Sequence, residues 1–201
     1  MKNKVLKIVL GIIVIALVVA LIVFGITKLL EKKPENSIKS FVEALKNGDF
    51  VTAQYYASDE TMSALEISED TENEDLEMMK LYFKCLDVKV VDVTKAKNQA
   101  VVKVEITNKD LKTILQNYIQ KALELAMSKL NSNQTEESME TELLEYFKSQ
   151  FDSEDIENIT TTVDVVLNKV DGEWKVVIDE NLRDALLPGL TDVSNMYSTA
   201  A

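Results

Sequence analysis

Histidine is absent from this chain of 201 residues, and arginine occurs once, as Arg183. The absence of histidine excludes Ser-His and Cys-His nucleophile pairs, histidine general bases and zinc sites with histidine ligands. A single arginine also excludes a cluster of guanidinium groups for binding phosphate. Carboxylates and tyrosines remain as the residue types from which a catalytic site would have to be built.

Cysteine occurs once, as Cys85, so the chain has no internal disulfide. Its neighbours Tyr82, Phe83 and Leu86 are aromatic or apolar, and this setting predicts a buried small hydrophobic residue rather than a nucleophile. No cysteine lies directly after the N-terminal apolar run, which excludes the lipid attachment of a bacterial lipoprotein. Packing alone must therefore stabilise the fold.

Acidic residues outnumber basic ones, 34 to 22, and the formal net charge is −12. Six lysines but only one acid, Glu31, precede Pro34, so residues 34–201 contain 16 basic and 33 acidic residues and carry a net charge of −17. A domain with this charge repels nucleic acid and anionic lipid headgroups. We therefore expect no nucleic-acid partner and interpret the acidic surplus as a solvated surface.

One long apolar run is present, at residues 8–26, and it contains no charged or strongly polar side chain. Nineteen helical residues span about 28 Å, close to the thickness of the hydrocarbon layer of a bilayer. Fifteen of the nineteen are Leu, Ile, Val or Phe, and their insertion is worth roughly −5 to −9 kcal/mol. With lysines on both sides, the run predicts an N-terminal transmembrane helix over residues 8–30 that contacts the lipid bilayer.

A cleaved signal peptide is the alternative interpretation of this run. The run is longer than the apolar region of a signal peptide, about 7–15 residues, and Val23-Phe24-Gly25 is a poor cleavage site. We prefer an uncleaved, single-pass signal anchor, and cleavage within residues 1–25 stays open. A long following domain is translocated largely regardless of its charge. The expected order is a cytoplasmic head (1–7), the anchor (8–30), a spacer (31–36) and an extracytoplasmic domain (37–190).

Helical periodicity follows the spacer. Ile38, Phe41 and Leu45 recur at helical spacing and predict one helix. Gly48 ends that helix, and Asp49 caps a second, short one. A polar and acidic loop at 58–73 then leads into a third helix at 74–84.

Two hairpins are predicted where the apolar period changes to two. The first contains a strand with a bulge near Val91 and a return strand whose buried face is Ala100, Val102, Val104 and Ile106. The second turns at Asp171-Gly172, a strong hairpin signal. Its first strand alternates apolar or β-branched residues with polar positions, at Ile159, Thr161, Val163, Val165 and Leu167. Its return strand has the same alternation at Trp174, Val176 and Ile178.

Between the hairpins, residues 108–151 predict an inserted pair of antiparallel helices. Asn108 is the predicted cap of the first helix, whose apolar stripe through Tyr118 and Met127 is predicted to be core. The second helix places a further apolar set on one side: Met139, Leu143, Leu144, Phe147 and Phe151. A short helix at 182–187 and a flexible tail at 191–201 complete the chain.

Two short motifs, together with this order of elements, resemble nuclear transport factor 2-like (cystatin-like) domains. They are Leu45-Lys46-Asn47-Gly48-Asp49-Phe50 and Val170-Asp171-Gly172-Glu173-Trp174-Lys175-Val176. The closing Asn181-Leu182 … Leu190 is similar to the C-terminus of Firmicutes lipoproteins and membrane-anchored domains of unknown function. The resemblance covers roughly residues 35–190. It implies an α+β fold, a curved antiparallel sheet with packed helices in a cone-like arrangement. The inserted helices at 108–151 are a departure from the pattern of that family.

Relatives of that fold include pocket enzymes of isomerase type and assembly subunits of conjugation machines, so the function must be argued from residues. Asp164 and the tyrosines at 55, 56, 82 and 118 are candidates for a catalytic pocket, but no spacing singles them out. The acidic run at 68–75 lacks the glycine and the terminal glutamate of a calcium loop. We therefore expect that the chain is not an enzyme, and we assign no catalytic, cofactor or metal residues.

These observations predict a membrane-anchored, extracytoplasmic, non-catalytic binding module at a bacterial cell envelope. Its partner is a protein or a small ligand that the sequence does not identify. The alternative is an assembly subunit of a membrane machine of conjugation or secretion type, with a pocket enzyme of isomerase type behind it. Gly11 and Gly25 are not spaced as a small-residue dimer face, which favours the binding module.

Overall fold

The computed structural model describes residues 33–58, 65, 73–129 and 135–193. The predicted cytoplasmic head (1–7) and transmembrane helix (8–30) lie outside the described residues, as does most of the acidic loop. Within the described part of the chain, no helix has the length and apolar character needed to cross a membrane. Residues Pro34–Ala201 form one compact unit, which is described below.

Four antiparallel strands form a single sheet in chain order: β1 (Asp87–Lys95), β2 (Gln99–Lys109), β3 (Asn158–Val170) and β4 (Glu173–Val176). The predicted α+β class, with a curved antiparallel sheet and packed helices, is confirmed. The pairing of β1 with β2 shifts register between Val90 and Asp92, so Val91 is the predicted bulge. Asp171 and Gly172 turn the second hairpin with φ of 51° and 86°, values typical of a type I′ turn.

The core lies on one face of this sheet, because strand side chains alternate between its two faces. Ala100, Val102, Val104 and Ile106 of β2 are all 1% exposed or less. They pair with Leu167, Val165, Val163 and Thr161 of β3, in that order. The predicted buried face of this strand pair is confirmed.

Among the residues that the structure describes, three helices precede the sheet: α1 (Pro34–Lys46), α2 (Phe50–Tyr56) and α3 (Asn73–Phe83). Gly48 ends α1 with φ of 68°, and Asp49 caps α2 by accepting the N–H of Thr52 at 3.0 Å. Both caps are as the sequence predicts. Because α1 already begins at Pro34, residues 34–36 of the predicted spacer belong to the helix.

Two helices are inserted between β2 and β3, as predicted, and one follows β4. They are α4 (Leu111–Lys129), α5 (Glu136–Gln150) and α6 (Glu180–Leu186). Phe147 of α5 packs edge-on against Tyr118 of α4 and Tyr82 of α3, with ring centroids 5.2 and 6.3 Å apart. Phe147 also meets Phe151 at 5.3 Å. This aromatic cluster fixes α5 against α3 and α4.

The predicted cap of α4 is wrong by two residues. Asn108 belongs to β2, and the cap is Asp110. Oδ1 of Asp110 accepts the N–H groups of Lys112 and Thr113 at 3.1 and 3.3 Å, and its Oδ2 accepts the Thr113 hydroxyl at 2.6 Å. Asn and Asp are equally good caps. The strand register, rather than cap preference, decides between them.

The prediction that the whole apolar stripe of α4 is core is also wrong. Leu111 and Ile114 are completely buried, but Ile119, Leu123 and Met127 are 38%, 61% and 61% exposed. From Asn117 onward α4 makes polar contacts to α5: Asn117 donates to Gln150 at 2.9 Å, and Lys121 pairs with Glu142 at 2.8 Å. A helix that packs on one neighbour buries a narrower stripe than one that lies over a sheet.

The first residues of the predicted flexible tail are helical at 191–193. The Thr191 hydroxyl donates to Asp184 of α6 at 2.8 Å, and Val193 is 9% exposed. These contacts hold the chain against α6 at that point. Residues 194–201 lie outside the described residues.

Asn108 is completely buried beneath the helices. Its amide nitrogen donates to the carbonyl oxygens of Tyr82 in α3, at 2.9 Å, and of Leu186 in α6, at 2.8 Å. Its Oδ1 accepts the N–H of Lys109 at 2.9 Å. The buried amide of Asn108, with both its nitrogen and its oxygen hydrogen-bonded, links the ends of two helices to the central strand pair.

Replacing Asn108 by aspartate will destabilise the fold strongly. Asn108→Asp replaces both N–H donors by an acceptor that faces carbonyl oxygens in a fully buried site, and the expected loss is about 3–5 kcal/mol. Urea denaturation followed by the fluorescence of the single, buried Trp174 measures it.

The control is Asn168→Asp on the exposed side of β3, which should change stability by no more than about 0.5 kcal/mol. Equal losses in the two variants would contradict the role given to Asn108.

Candidate functional site

The largest of the described surface depressions lies where α1 and α3 end beside α5, and it has a volume of about 930 Å³. We call it the lysine groove. Its rim carries Lys46, Lys80, Lys84 and Lys148, and its floor is formed by Met78, Leu81 and Leu144. Glu77 is the one acidic side chain among the residues that line it. The groove therefore combines apolar surface with a local excess of positive charge.

Three of the rim lysines lie in the last turns of their helices: Lys46 in α1, Lys80 in α3 and Lys148 in α5. A cation in the last turn interacts favourably with the negative end of the helix dipole, typically by 0.3–1 kcal/mol. This structural role explains why a lysine is found at each helix end. It does not explain why three such ends meet around one apolar floor.

The four rim lysines differ in how far they are neutralised. Lys80 pairs with Glu77 and Lys84 with Asp152, both at 2.6 Å, in side chains that are largely exposed. Within the described residues, neither Lys46 nor Lys148 has a carboxylate at ion-pair distance. Within the described part of the chain, two of the four rim lysines are thus not ion-paired.

Gly48 determines where Lys80 can lie. A Cβ atom at this position would come within 2.6 Å of Cγ and 2.9 Å of Cδ of Lys80. The aliphatic stem of Lys80 therefore crosses directly over the backbone of Gly48. Only glycine combines this close approach with the positive φ that ends α1.

The floor of the groove is partly exposed because the burial of the apolar side of α5 decreases towards its N-terminus. On that side, Phe147 and Phe151, the residue that follows α5, are 2% and 1% exposed. Leu144, three residues before Phe147, is 43% exposed. Leu144 belongs to the apolar side predicted for this helix, but it is not buried with Phe147.

Two other depressions lack this combination of features. One of about 670 Å³ lies between α1, α2 and the start of β1, but its apolar residues Val42, Ala44 and Leu86 are buried in the core and offer little surface. Another of about 720 Å³ on the outer side of β3 is lined by aspartates, among them Asp110, Asp164 and Asp184. Within the described residues, no group of three potential ligands is placed to hold a metal ion.

The predicted catalytic candidates are not brought together. Asp164 lies 3.7 Å from Lys103, its cross-strand neighbour, and its side chain is 59% exposed. Tyr82 and Tyr118 belong to the aromatic cluster around Phe147.

The other two tyrosines lie elsewhere, at the end of α2. Tyr55 and Tyr56 pack edge to face at 5.1 Å, and the ammonium of Lys175 lies 4.2 Å from the Tyr55 ring. Lys175 also donates to the carbonyl of Tyr55. These contacts attach α2 to β4. The acidic run at 68–72 lies outside the described residues.

Cys85 lies next to the groove but is half-buried, and its Sγ donates to the carbonyl of Phe151 at 3.5 Å. Burial raises the pKa of the thiol above its ordinary value, although Lys109, Lys84 and Lys46 act in the opposite direction. The thiol is therefore protonated at neutral pH. A protonated thiol is a poor nucleophile, in agreement with the expectation for this residue.

No protein-family model matches the chain, and no curated protein matches it. Solved structures do. One is described as a lipoprotein of Bacillus subtilis, with 17% identity and a TM-score of 0.40 over 73% of this chain, which spans 43% of that protein. A nuclear transport factor 2-like transpeptidase from Campylobacter jejuni has 15% identity and a TM-score of 0.33, covering 74% of this chain and 100% of that one. An LEH-like epoxide hydrolase of Mycobacterium tuberculosis has 11% identity and a TM-score of 0.31, covering 80% and 94%.

These neighbours include a protein named as nuclear transport factor 2-like and a lipoprotein, the two classes that the sequence resembles. Their identities and TM-scores are low, so nothing about residues or reactions is transferred from them. The expectation that the chain is not an enzyme is contradicted, because proteins named as a transpeptidase and an epoxide hydrolase are among the neighbours. A lack of spaced catalytic motifs in the sequence was an insufficient basis for excluding catalysis.

Sequence reasoning missed the lysine groove. Its lysines come from three helices and are separated by 34 and 64 residues along the chain (Lys46 to Lys80, and Lys84 to Lys148). Each one alone reads as an ordinary basic residue at a helix end. The one local signal was the pattern in which Leu144 precedes Lys148 by one helical turn, an amphipathic pair at the edge of an apolar stripe.

Proposed function

We propose that this chain is a single-pass, membrane-anchored binding module whose folded unit lies outside the cytoplasm and binds its ligand in the lysine groove. The lysine groove is the observation that carries the proposal. Ligand sites are concave and largely apolar, with a few polar groups that fix orientation, and typical volumes are about 300–1,000 Å³. The groove has an apolar floor, charged groups at its rim and a volume within that range.

The sequence supports the membrane part of the proposal. The run at 8–26 has the length and composition of a transmembrane helix, and no cysteine follows it that would carry a lipid. A domain with a net charge of −17 is repelled by an anionic bilayer. The anchor would thus keep the groove near the membrane while the acidic surface keeps it from lying on the lipid.

Membrane attachment is tested by fractionation of cells that express the full chain. We expect the chain in the membrane pellet after alkaline carbonate extraction, and its folded unit digested by protease added outside intact protoplasts. The double change Ile15→Lys and Val19→Lys adds roughly 5–7 kcal/mol to the insertion free energy and should move the chain out of that pellet.

Two results would overturn this part of the proposal: a full chain that remains in the soluble fraction, or a mature chain whose intact mass shows that residues 1–25 have been removed.

A second candidate is an assembly subunit of a membrane machine, and one observation favours it. Ile119, Leu123 and Met127 recur every four residues on the exposed side of α4, where a partner helix would find an apolar stripe. Such a partner would contact α4, whereas a groove ligand contacts α5 at Leu144. The two candidates therefore predict contacts at different positions.

Photo-cross-linking in living cells tests ligand binding without assuming the class of the ligand. p-Benzoylphenylalanine at position 144 of the full chain should yield a defined adduct, detected by the mass of the intact chain. Position 170 is the matched control, because Val170 is 49% exposed and Leu144 is 43% exposed, and Val170 lies in the β3–β4 hairpin rather than in the groove.

An adduct at position 144 and none at position 170 is the expected result. Adducts of equal yield at both positions, or at neither, would contradict a ligand site in the groove. An adduct only at position 123, introduced as a third variant, would replace the proposal with the assembly subunit.

A further inference from the structure

The charges around the lysine groove are opposite in sign to those of the domain as a whole. Residues 34–201 carry a net charge of −17, yet four lysines and a single glutamate line the groove. Lys80 and Lys84 are paired with Glu77 and Asp152, which leaves Lys46 and Lys148 without a carboxylate partner among the described residues. Among the described residues, the groove thus presents two lysines without a carboxylate partner on an acidic protein.

The distance over which salt screens charges decides what kind of anion fits this site. At physiological ionic strength, interactions between exposed charges are screened beyond about 8 Å. A small anion inside the groove is therefore affected mainly by the rim lysines. A large polyanion extends beyond them and meets the acidic surface, which repels it. Nucleic acid and an anionic bilayer surface are disfavoured on this ground, and a ligand with one charged group is favoured.

The floor requires that the ligand also have an apolar part. Met78 and Leu81 are one helical turn apart on α3 and half-buried, and Leu144 faces them from α5. An anion without an apolar part would leave this surface exposed to water. Methionine is unbranched and flexible, so Met78 can adapt to a chain that lacks a fixed shape.

We propose that the lysine groove binds a single-chain amphiphile with one anionic head, a carboxylate or a phosphate monoester. The head lies between Lys46 and Lys148, and the apolar chain covers Met78, Leu81 and Leu144. This inference rests on the proposed function, since it names the class of ligand for the same groove. Binding is non-covalent, and the two lysines supply charge-assisted hydrogen bonds.

The experiment compares ligands that share a ten-carbon chain and differ in the head. The full chain, labelled with ¹³C in its methionine methyl groups, is placed in nanodiscs of zwitterionic lipid. It is titrated with decanoate, decyl phosphate, decanol and decyltrimethylammonium, and free concentrations are corrected with empty nanodiscs. The methyl resonance of Met78, assigned with Met78→Leu, reports binding in the groove itself.

We expect decanoate or decyl phosphate to bind roughly threefold to tenfold more tightly than decanol, from two partly exposed charge contacts. Decyltrimethylammonium should bind more weakly than decanol. The stronger of the two anionic ligands identifies the head as carboxylate or phosphate. High salt should reduce the difference between the anionic ligands and decanol, because salt screens the lysines.

The double variant Lys46→Gln with Lys148→Gln should reduce the preference for anionic ligands to less than about twofold and leave decanol binding unchanged. Lys39→Gln with Lys97→Gln is the control, since it removes two exposed lysines that lie outside the groove. This control variant should keep its preference for the anionic ligands over decanol. An equal loss of preference in both double variants would show that only the net charge matters and would overturn the inference.

The outcomes separate this inference from the proposed function. If decanol binds as tightly as decanoate and decyl phosphate, the anionic class is wrong, while a cross-link at position 144 still supports a ligand site in the groove. If no ten-carbon ligand shifts the Met78 resonance, the amphiphile is wrong, and the mass of the adduct at position 144 then decides whether the groove binds a ligand of another class. If position 144 gives no specific adduct either, the proposed function fails as well.

Discussion

The buried amide of Asn108 is the interaction on which the rest of the described unit depends. It joins β2, at the centre of the sheet, to the carbonyls of Tyr82 at the end of α3 and Leu186 at the end of α6. An amide with no exposed surface must find all its partners within the protein, so it permits one placement of these helix ends. Because α3 carries Met78, Lys80 and Leu81 of the lysine groove, the amide also fixes part of the site.

The sheet could be predicted from the sequence because its rules are local. Alternation places Val102, Val104 and Ile106 on one face wherever the strand lies, and a shift of one residue would expose all of them. Gly48 and Asp171-Gly172 have positive φ, which restricts the residues that fit there. The bulge at Val91 could also be predicted, because it shifts the alternation of apolar and polar residues along the strand.

The packing of the inserted helices and the lysine groove could not be predicted, because they depend on which neighbours a helix finds. The apolar stripe of α4 continues unbroken through Leu123 and Met127, yet only its first half lies over core residues. Leu144 belongs to the apolar side of α5 in sequence and to the groove floor in the structure. Lys46 and Lys148 are 102 residues apart, and only the contact between helix ends makes them one site. The resemblance of fold could not replace this information, and the exclusion of catalysis drawn from sequence patterns was contradicted.

The central claim is that the groove is a locally positive site on an acidic protein, and this can be measured without any ligand. Paramagnetic broadening of methionine methyl groups is measured with an anionic and with a neutral gadolinium chelate. The ratio of the broadening by the anionic chelate to that by the neutral one reports the local potential, because differences in exposure cancel. We predict a ratio above one at Met78 and below one at Met127, which lies on the exposed side of α4. A ratio at Met78 that equals the ratio at Met127 would contradict the account.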